Sequence, residues 1–215
     1  MENAQFGVVP SLGPIVPGHM LICPKEHVTS LRDLLLRDQA EGYTAKQADG
    51  LLSMRTALTA ALKGIYHQPV HFFEHGCAVG SPNKLCTVDH AHLHAVPTEV
   101  SILAMLDADP LWIRLLRSIE DVPYHAPQLE YIYYEAPTGE AFIRYSPEGF
   151  ESQWMRRAFC DALGDPHTWN WRENLRPDLA HRHYEQVADY RTTQVKSLGF
   201  LDAEARPHHG SATNV

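Results

Sequence analysis

The run Thr87-Val88-Asp89-His90-Ala91-His92-Leu93-His94-Ala95-Val96-Pro97 constrains the fold of this chain more than any other stretch. Histidine recurs at every second position, and the residues between are small or apolar. Successive side chains of a β-strand point to opposite faces, so a strand here sets His90, His92 and His94 on one face. Ala91, Leu93 and Ala95 then fill the other face, which asks for a core behind it. Three imidazoles spaced ~7 Å apart along a strand can bind a metal, shuttle protons or attack an electrophile. The chain has 14 histidines in 215 residues, enough for a chance pair. An alternating triple backed by apolar residues is much rarer, and it points to a built site.

The core behind that strand is legible in the periodicities. Leu51, Met54, Leu58, Leu62 and Ile65 recur at three- and four-residue steps, which predicts an amphipathic helix over about residues 45–66. Thr44 and Gln47 give its start the shape of a capping box. Short strands are expected at Phe6–Val9, His19–Pro24 and Val70–His75. Between the first two, residues 11–18 are rich in Pro and Gly and read as a turn. Ser30 with Asp33 opens a short helix whose apolar face is Leu31, Leu34 and Leu35. Further on, Asp109-Pro110 predicts a helix start running to about Ser118. Residues 129–135 and 140–145 flank Ala136-Pro137-Thr138-Gly139 and predict a hairpin. Helices are expected over about 151–163, stopped by Gly164, and over about 178–192.

The expected fold class is therefore α+β: a mainly antiparallel sheet of about five strands with the long helix packed on it, plus a C-terminal hairpin and helices. The expected organisation is a core over 1–125, a hairpin and helical extension over 126–200 packed on it, and a disordered tail over 201–215.

Composition narrows the functional classes. Apolar residues make up 44% and charged residues 20%, as in globular proteins. No apolar run approaches the ~18 residues that span a bilayer, so no membrane partner is expected. The acidic N-terminus does not resemble a signal peptide, and a cytoplasmic protein with free thiols at Cys23, Cys77, Cys86 and Cys160 is the expectation. The net charge of −8 and the lack of a basic tract beyond Arg156-Arg157 argue against a large nucleic-acid partner. A small anionic ligand held by histidines and backbone N–H groups stays open.

Two stretches together resemble the histidine-triad (HIT) family of nucleotidyl hydrolases and transferases. His90-Ala91-His92-Leu93-His94-Ala95-Val96 is similar to the family signature. Pro17-Gly18-His19-Met20-Leu21-Ile22-Cys23-Pro24-Lys25-Glu26-His27 is similar to its upstream segment, and the long helix lies between the two. The resemblance covers about residues 6–97. It implies a HIT-like fold and a hydrolase that cleaves a phosphoanhydride or phosphoramidate bond at the α-phosphorus of a nucleoside conjugate, with no cofactor and as a homodimer. His92 would be the nucleophile forming a nucleotidyl-histidine, His94 would assist at the phosphoryl or leaving-group oxygens, and His90 and His19 would hold the geometry. Where transferases of the galactose-1-phosphate uridylyltransferase type carry glutamine, this chain has His94, which favours hydrolysis. The resemblance places Ser11 at the ribose, Cys86 and Thr87 near the leaving group, and Glu74 on the phosphate side, where a carboxylate would repel a polyphosphate. A Gln153-x-x-Arg156-Arg157 helix followed by Trp169-x-Trp171 is similar to the C-terminal part of some bacterial members and of splicing-associated relatives. One of those arginines would reach the substrate phosphate or a dimer partner, or else lie on a solvated helix face.

Two rival readings remain open at the level of sequence. The three histidines, or His75 with Cys77 and Cys86, would make a zinc site, although their spacing matches no standard zinc motif. Alternatively, a HIT-like fold would bind a nucleotide or a protein partner without turnover.

Overall fold

The computed structural model describes residues 1–40, 46–77, 90–124 and 129–197. Among these residues seven strands form one sheet: β1 (Phe6–Pro10), β2 (Met20–Pro24), β3 (Val70–Gly76), β4 (Leu93–Pro97), β5 (Ile113–Arg114), β6 (Glu130–Glu135) and β7 (Ala141–Ser146). Their spatial order is β1-β2-β4-β3-β6-β7-β5, and every pairing is antiparallel. The class is α+β, as expected, with more strands than the expected five. The extra strands arise because the C-terminal hairpin β6–β7 pairs directly with β3, Phe73 lying opposite Tyr134. That hairpin turns at Gly139, whose φ of 89° suits a residue without a Cβ.

Five helices are described: α1 (Leu31–Ala40), α2 (Lys46–Tyr66), α3 (Leu103–Ala108), α4 (Trp154–Ala162) and α5 (Pro177–Ser197). α2 buries Leu51, Met54, Leu58 and Leu62 against the sheet, on the predicted stripe. Its predicted start at Thr44, like the tail over 201–215, lies outside the described residues. α1 and α2 cover one sheet face, where Phe6, Met20, Ile22, Phe72, Leu93 and Ala95 form the main core. α5 packs along α2 and β1. The opposite face carries a second core, in which Phe73, Val96, Ile132 and Tyr134 meet Met155 and Phe159 of α4. No helix among the described residues is long and apolar enough to cross a membrane.

Because both faces are covered, β6 is buried along its whole length, and its tyrosine hydroxyls must find partners inside. Tyr131 donates to Glu74 Oε2 at 2.6 Å, Tyr133 to Glu135, and Tyr134 pairs with His71 Nδ1 at 2.8 Å. Glu135 also pairs with Arg55 of α2, a buried ion pair bridged by Ser118.

The helix predicted from Asp109 is not formed. Asp109 instead follows α3 as its C-cap, and its carboxylate accepts the Leu111 N–H at 3.0 Å and the Arg144 guanidinium at 2.9 Å. An Asp-Pro pair suits a turn as well as a helix start, and here the tertiary contact to β7 decides.

Glu74 shows the same kind of long-range control. It lies on the main-core face, where Oε1 accepts the unpaired N–H of Leu31 at the start of α1, at 2.7 Å. Burial pushes its carboxyl up to about 7 despite the Tyr131 and Leu31 hydrogen bonds. A folded value above the unfolded one (~4.3) stabilises the fold in acid, and that contribution is lost as pH rises through about 7. Glu74→Gln keeps an acceptor for Leu31 without a charge. It is expected to gain about 1–3 kcal/mol over wild type at pH 8 and little at pH 5. Thermal melts at both pH values check this, and an equal shift at both would remove the titration of Glu74 as the cause.

Candidate functional site

On the second-core face, a cavity of about 260 Å³ is lined by His90, His92 and His94 from the triad segment. Ser11 and Leu12 after β1, Leu21 of β2, and Arg156 and Trp171 from the C-terminal part share the lining. The strand expected through all three histidines begins only at Leu93, so of the three only His94 is a strand residue. His90 and His92 are placed by hydrogen bonds instead of by strand alternation. His90 Nε2 lies 2.8 Å from the Pro24 carbonyl oxygen, and His92 Nδ1 lies 2.8 Å from the carbonyl oxygen of His90.

Those bonds fix the tautomers, because a backbone carbonyl accepts and a backbone N–H donates. His92 must carry its proton on Nδ1, which leaves the lone pair on Nε2. The Ile15 N–H donates to His19 Nδ1 at 3.1 Å, so the neutral His19 ring carries its proton on Nε2. That nitrogen sits 2.8 Å from His94 Nδ1 and donates to it. His94 therefore presents an Nε2–H, and the chain of bonds runs Ile15 to His19 to His94. Phe73 stacks on His94 with ring centroids 4.1 Å apart and planes 14° from parallel, which fixes the ring's orientation.

Burial holds these rings neutral. It lowers His92, opposed by the His90 carbonyl bond, and it lowers His19 and His94 well below the usual histidine range. In His94 the positive potential of His92, His19 and Arg156 adds to burial; in His19 that of Arg156, His92 and His183 does. Neutral imidazoles are what a nucleophile and a hydrogen-bond donor to phosphoryl oxygen require near neutral pH.

The site residues expected from sequence thus separate. His90, His92, His94 and Ser11 line the cavity, and His19, fully buried, stands behind His94. Glu74 does not join them, because β3 alternates. Phe73 and His75 face the cavity while Glu74 faces α1. Its expected role at the substrate phosphate is corrected, and with it the objection to a polyphosphate. Cys86 and Thr87 lie outside the described residues.

The zinc reading loses support on chemical grounds. Cys77 is disulfide-bonded, which corrects the free-thiol expectation there, and a disulfide sulfur offers no thiolate to a metal. Cys23 and Cys160 are free. Among the described residues no group of three His, Cys, Asp or Glu side chains is placed to hold a metal ion.

The cavity wall that residue-by-residue reading underweighted comes from the C-terminal part. Gln153, at a left-handed φ of 61° before α4, accepts the Trp171 N–H at 3.2 Å and donates to Asn170. Arg156 donates to the Trp169 and Gly13 carbonyls at 2.7 and 2.6 Å. A Cβ on Gly13 would stand 2.8 Å from Trp171, so glycine permits the β1–β2 loop to seat there. The Gln153-x-x-Arg156 and Trp169-x-Trp171 pattern was the available signal, and its members meet around this loop. Among protein-family models none matches the chain, and no curated protein matches it. What identifies the site is its own geometry.

Proposed function

We propose that the chain is a nucleotidyl hydrolase of the histidine-triad kind, cleaving a bond at the α-phosphorus of a nucleoside conjugate through a nucleotidyl-histidine on His92. The observation that carries this reading is the tautomer pattern. One ring presents a lone pair, at His92 Nε2, and its neighbour presents an N–H, at His94 Nε2. Their ring centroids are 4.8 Å apart, close enough for both to act on one phosphoryl group. The His92 lone pair forms an N–P bond as the bond from phosphorus to the leaving group breaks, the electron pair departing with that group. Water then attacks phosphorus, the N–P bond breaks back to His92, and nucleoside monophosphate and a proton leave. His94 donates a hydrogen bond to a phosphoryl or leaving oxygen, where negative charge develops. Leu12, Leu21, Trp154 and Trp171 give the cavity the apolar and aromatic surface on which a nucleobase packs. The scheme draws on side chains alone.

The test incubates the full chain with nucleoside 5′-anhydrides and 5′-phosphoramidates and follows release of nucleoside monophosphate. Rapid quenching and mass spectrometry should find the nucleotidyl group on the peptide carrying His92. Bound nucleotide with no release from any conjugate would make the protein a binding module instead.

A further inference from the structure

The loop between β1 and β2 forms part of the cavity wall and ends on His19, yet its middle is held from outside. Its ends are tied locally. The Ser11 N–H donates to the His19 carbonyl at 3.1 Å, and the His19 N–H donates to the Val16 carbonyl at 3.2 Å. The Leu12 and Gly13 carbonyls go instead to the C-terminal part of the chain. The Arg176 N–H donates to Leu12 at 2.7 Å, and Arg156 Nη2 donates to Gly13 at 2.6 Å. Arg156 Nε is taken by the Trp169 carbonyl at 2.7 Å, so the guanidinium bridges two backbone segments far apart in the chain. The side chain is 4% exposed, and burial keeps water from competing for those bonds.

The next residue, Pro14, carries that anchor toward the histidines. Peptide units are planar, so only the φ and ψ of Pro14 separate the Gly13 carbonyl from the Ile15 N–H. The pyrrolidine ring locks that φ at about −65°, which leaves one soft dihedral between them. The Ile15 N–H in turn donates to His19 Nδ1 at 3.1 Å, and His19 Nε2 lies 2.8 Å from His94 Nδ1. Where the Gly13 carbonyl sits therefore decides whether His19 Nδ1 has a donor, and with it which nitrogen of His19 carries the proton.

We propose that Arg156 is a positioning residue. By holding the Gly13 carbonyl it keeps, through Pro14, the Ile15 N–H on His19, and so fixes the tautomer of the ring behind His94. The C-terminal part of the chain is thereby a splint for the histidine cavity. The proposal deepens the nucleotidyl-hydrolase reading and rests on it for the kinetic result alone, because the tautomer is a property of the free protein.

Long-range proton–nitrogen correlation spectra of the full chain, labelled at histidine, read the tautomer of each ring at neutral pH. Wild type should show His19 as a single Nε2–H form. Arg156→Gln and Pro14→Gly should each turn it into a mixture of both forms. His71 and His90 should keep theirs, since their partners are the Thr98 and Pro24 carbonyls. Arg156→Lys, which can still reach one carbonyl, should retain more of the single form than Arg156→Gln. In both tautomer-mixing variants kcat should fall about three- to tenfold with a smaller change in KM, the range for one hydrogen bond. Pro14→Gly leaves the guanidinium and its two carbonyls in place, so it separates this route from a direct contact between Arg156 and a ligand. An unchanged His19 form in Pro14→Gly overturns the proposal whatever Arg156→Gln does, as does a wild type that is itself a mixture. Mixed tautomers with undiminished kcat overturn it as well. Melting curves accompany the variants, and if Arg156→Gln does not fold the spectrum of Pro14→Gly decides. The expected spectra without release of nucleotide from any conjugate would overturn the hydrolase reading and leave the positioning of His19 standing.

Discussion

His92→Asn is expected to lower nucleotidyl turnover by on the order of 10⁴-fold or more while leaving the fold intact. The asparagine amide can still donate to the His90 carbonyl, as His92 Nδ1 does at 2.8 Å, so the local backbone keeps its partner. What disappears is the Nε2 lone pair, and with it the covalent route. The neighbouring residues should then sort by what their bonds do. In His90→Ala the carbonyl that orients His92 survives, since it belongs to the backbone, and only the ring's bond to the Pro24 carbonyl is lost. A milder loss, about tenfold, is expected. His19→Ala removes the donor that fixes His94. His94 then becomes free to carry its proton on Nδ1 and turn a lone pair toward the phosphoryl oxygens, so a loss of about 10–100-fold is expected. Steady-state kinetics with melting curves for each variant measure the series. Full turnover in His92→Asn would place the attack on another group.

That series also shows what the sequence could and could not reveal. The alternation of His90, His92 and His94 pointed to the site, but not through the strand geometry that made it conspicuous. The shared direction of the rings comes from two backbone carbonyls, one of them 66 residues away at Pro24. The amphipathic stripe of α2 was legible because burial on one face imposes a periodicity on the chain itself. Glu74 was misplaced because its partners, the Leu31 N–H and the Tyr131 hydroxyl, lie 43 and 57 residues away. The hairpin was legible at Gly139, while its pairing with β3 was not, because strand adjacency leaves no local mark. Arg156-Arg157 read more readily as a solvated helix face than as a functional pair. Only the packing shows that Arg156 turns inward to Gly13 while Arg157 stacks on Trp169.

Acidification from pH 7.5 to 5 is expected to lower the melting temperature by roughly 10–20 °C, and the reason lies in the groups that build the site. Burial lowers the pKa of His19, His71, His75, His92 and His94, to about 4 at His71 and His75. Each folded value lies below the unfolded one (~6.5), so the unfolded chain takes up protons that the folded chain does not. The stability these rings contribute is therefore present above about pH 6.5 and is lost as pH falls toward the folded values. For His71 alone the loss at pH 5 is about 2 kcal/mol. Several such groups together rival a typical net stability of about 5–15 kcal/mol. Glu74 works in the opposite direction and offsets part of the loss. The geometry explains why the rings resist protonation. At His19 a second N–H would face the Ile15 N–H. At His71 the Nε2–H already meets the Thr98 carbonyl at 3.1 Å, and burial opposes a charge on the ring. Urea unfolding between pH 7.5 and 5 measures the slope, which should correspond to uptake of more than two protons at the acid end. A stability independent of pH over that range would mean that the folded protein accepts those protons, and a His92 charged at pH 6 would have no lone pair with which to attack phosphorus. Acid lability and a neutral nucleophile are thus two consequences of the same burial of the histidine rings.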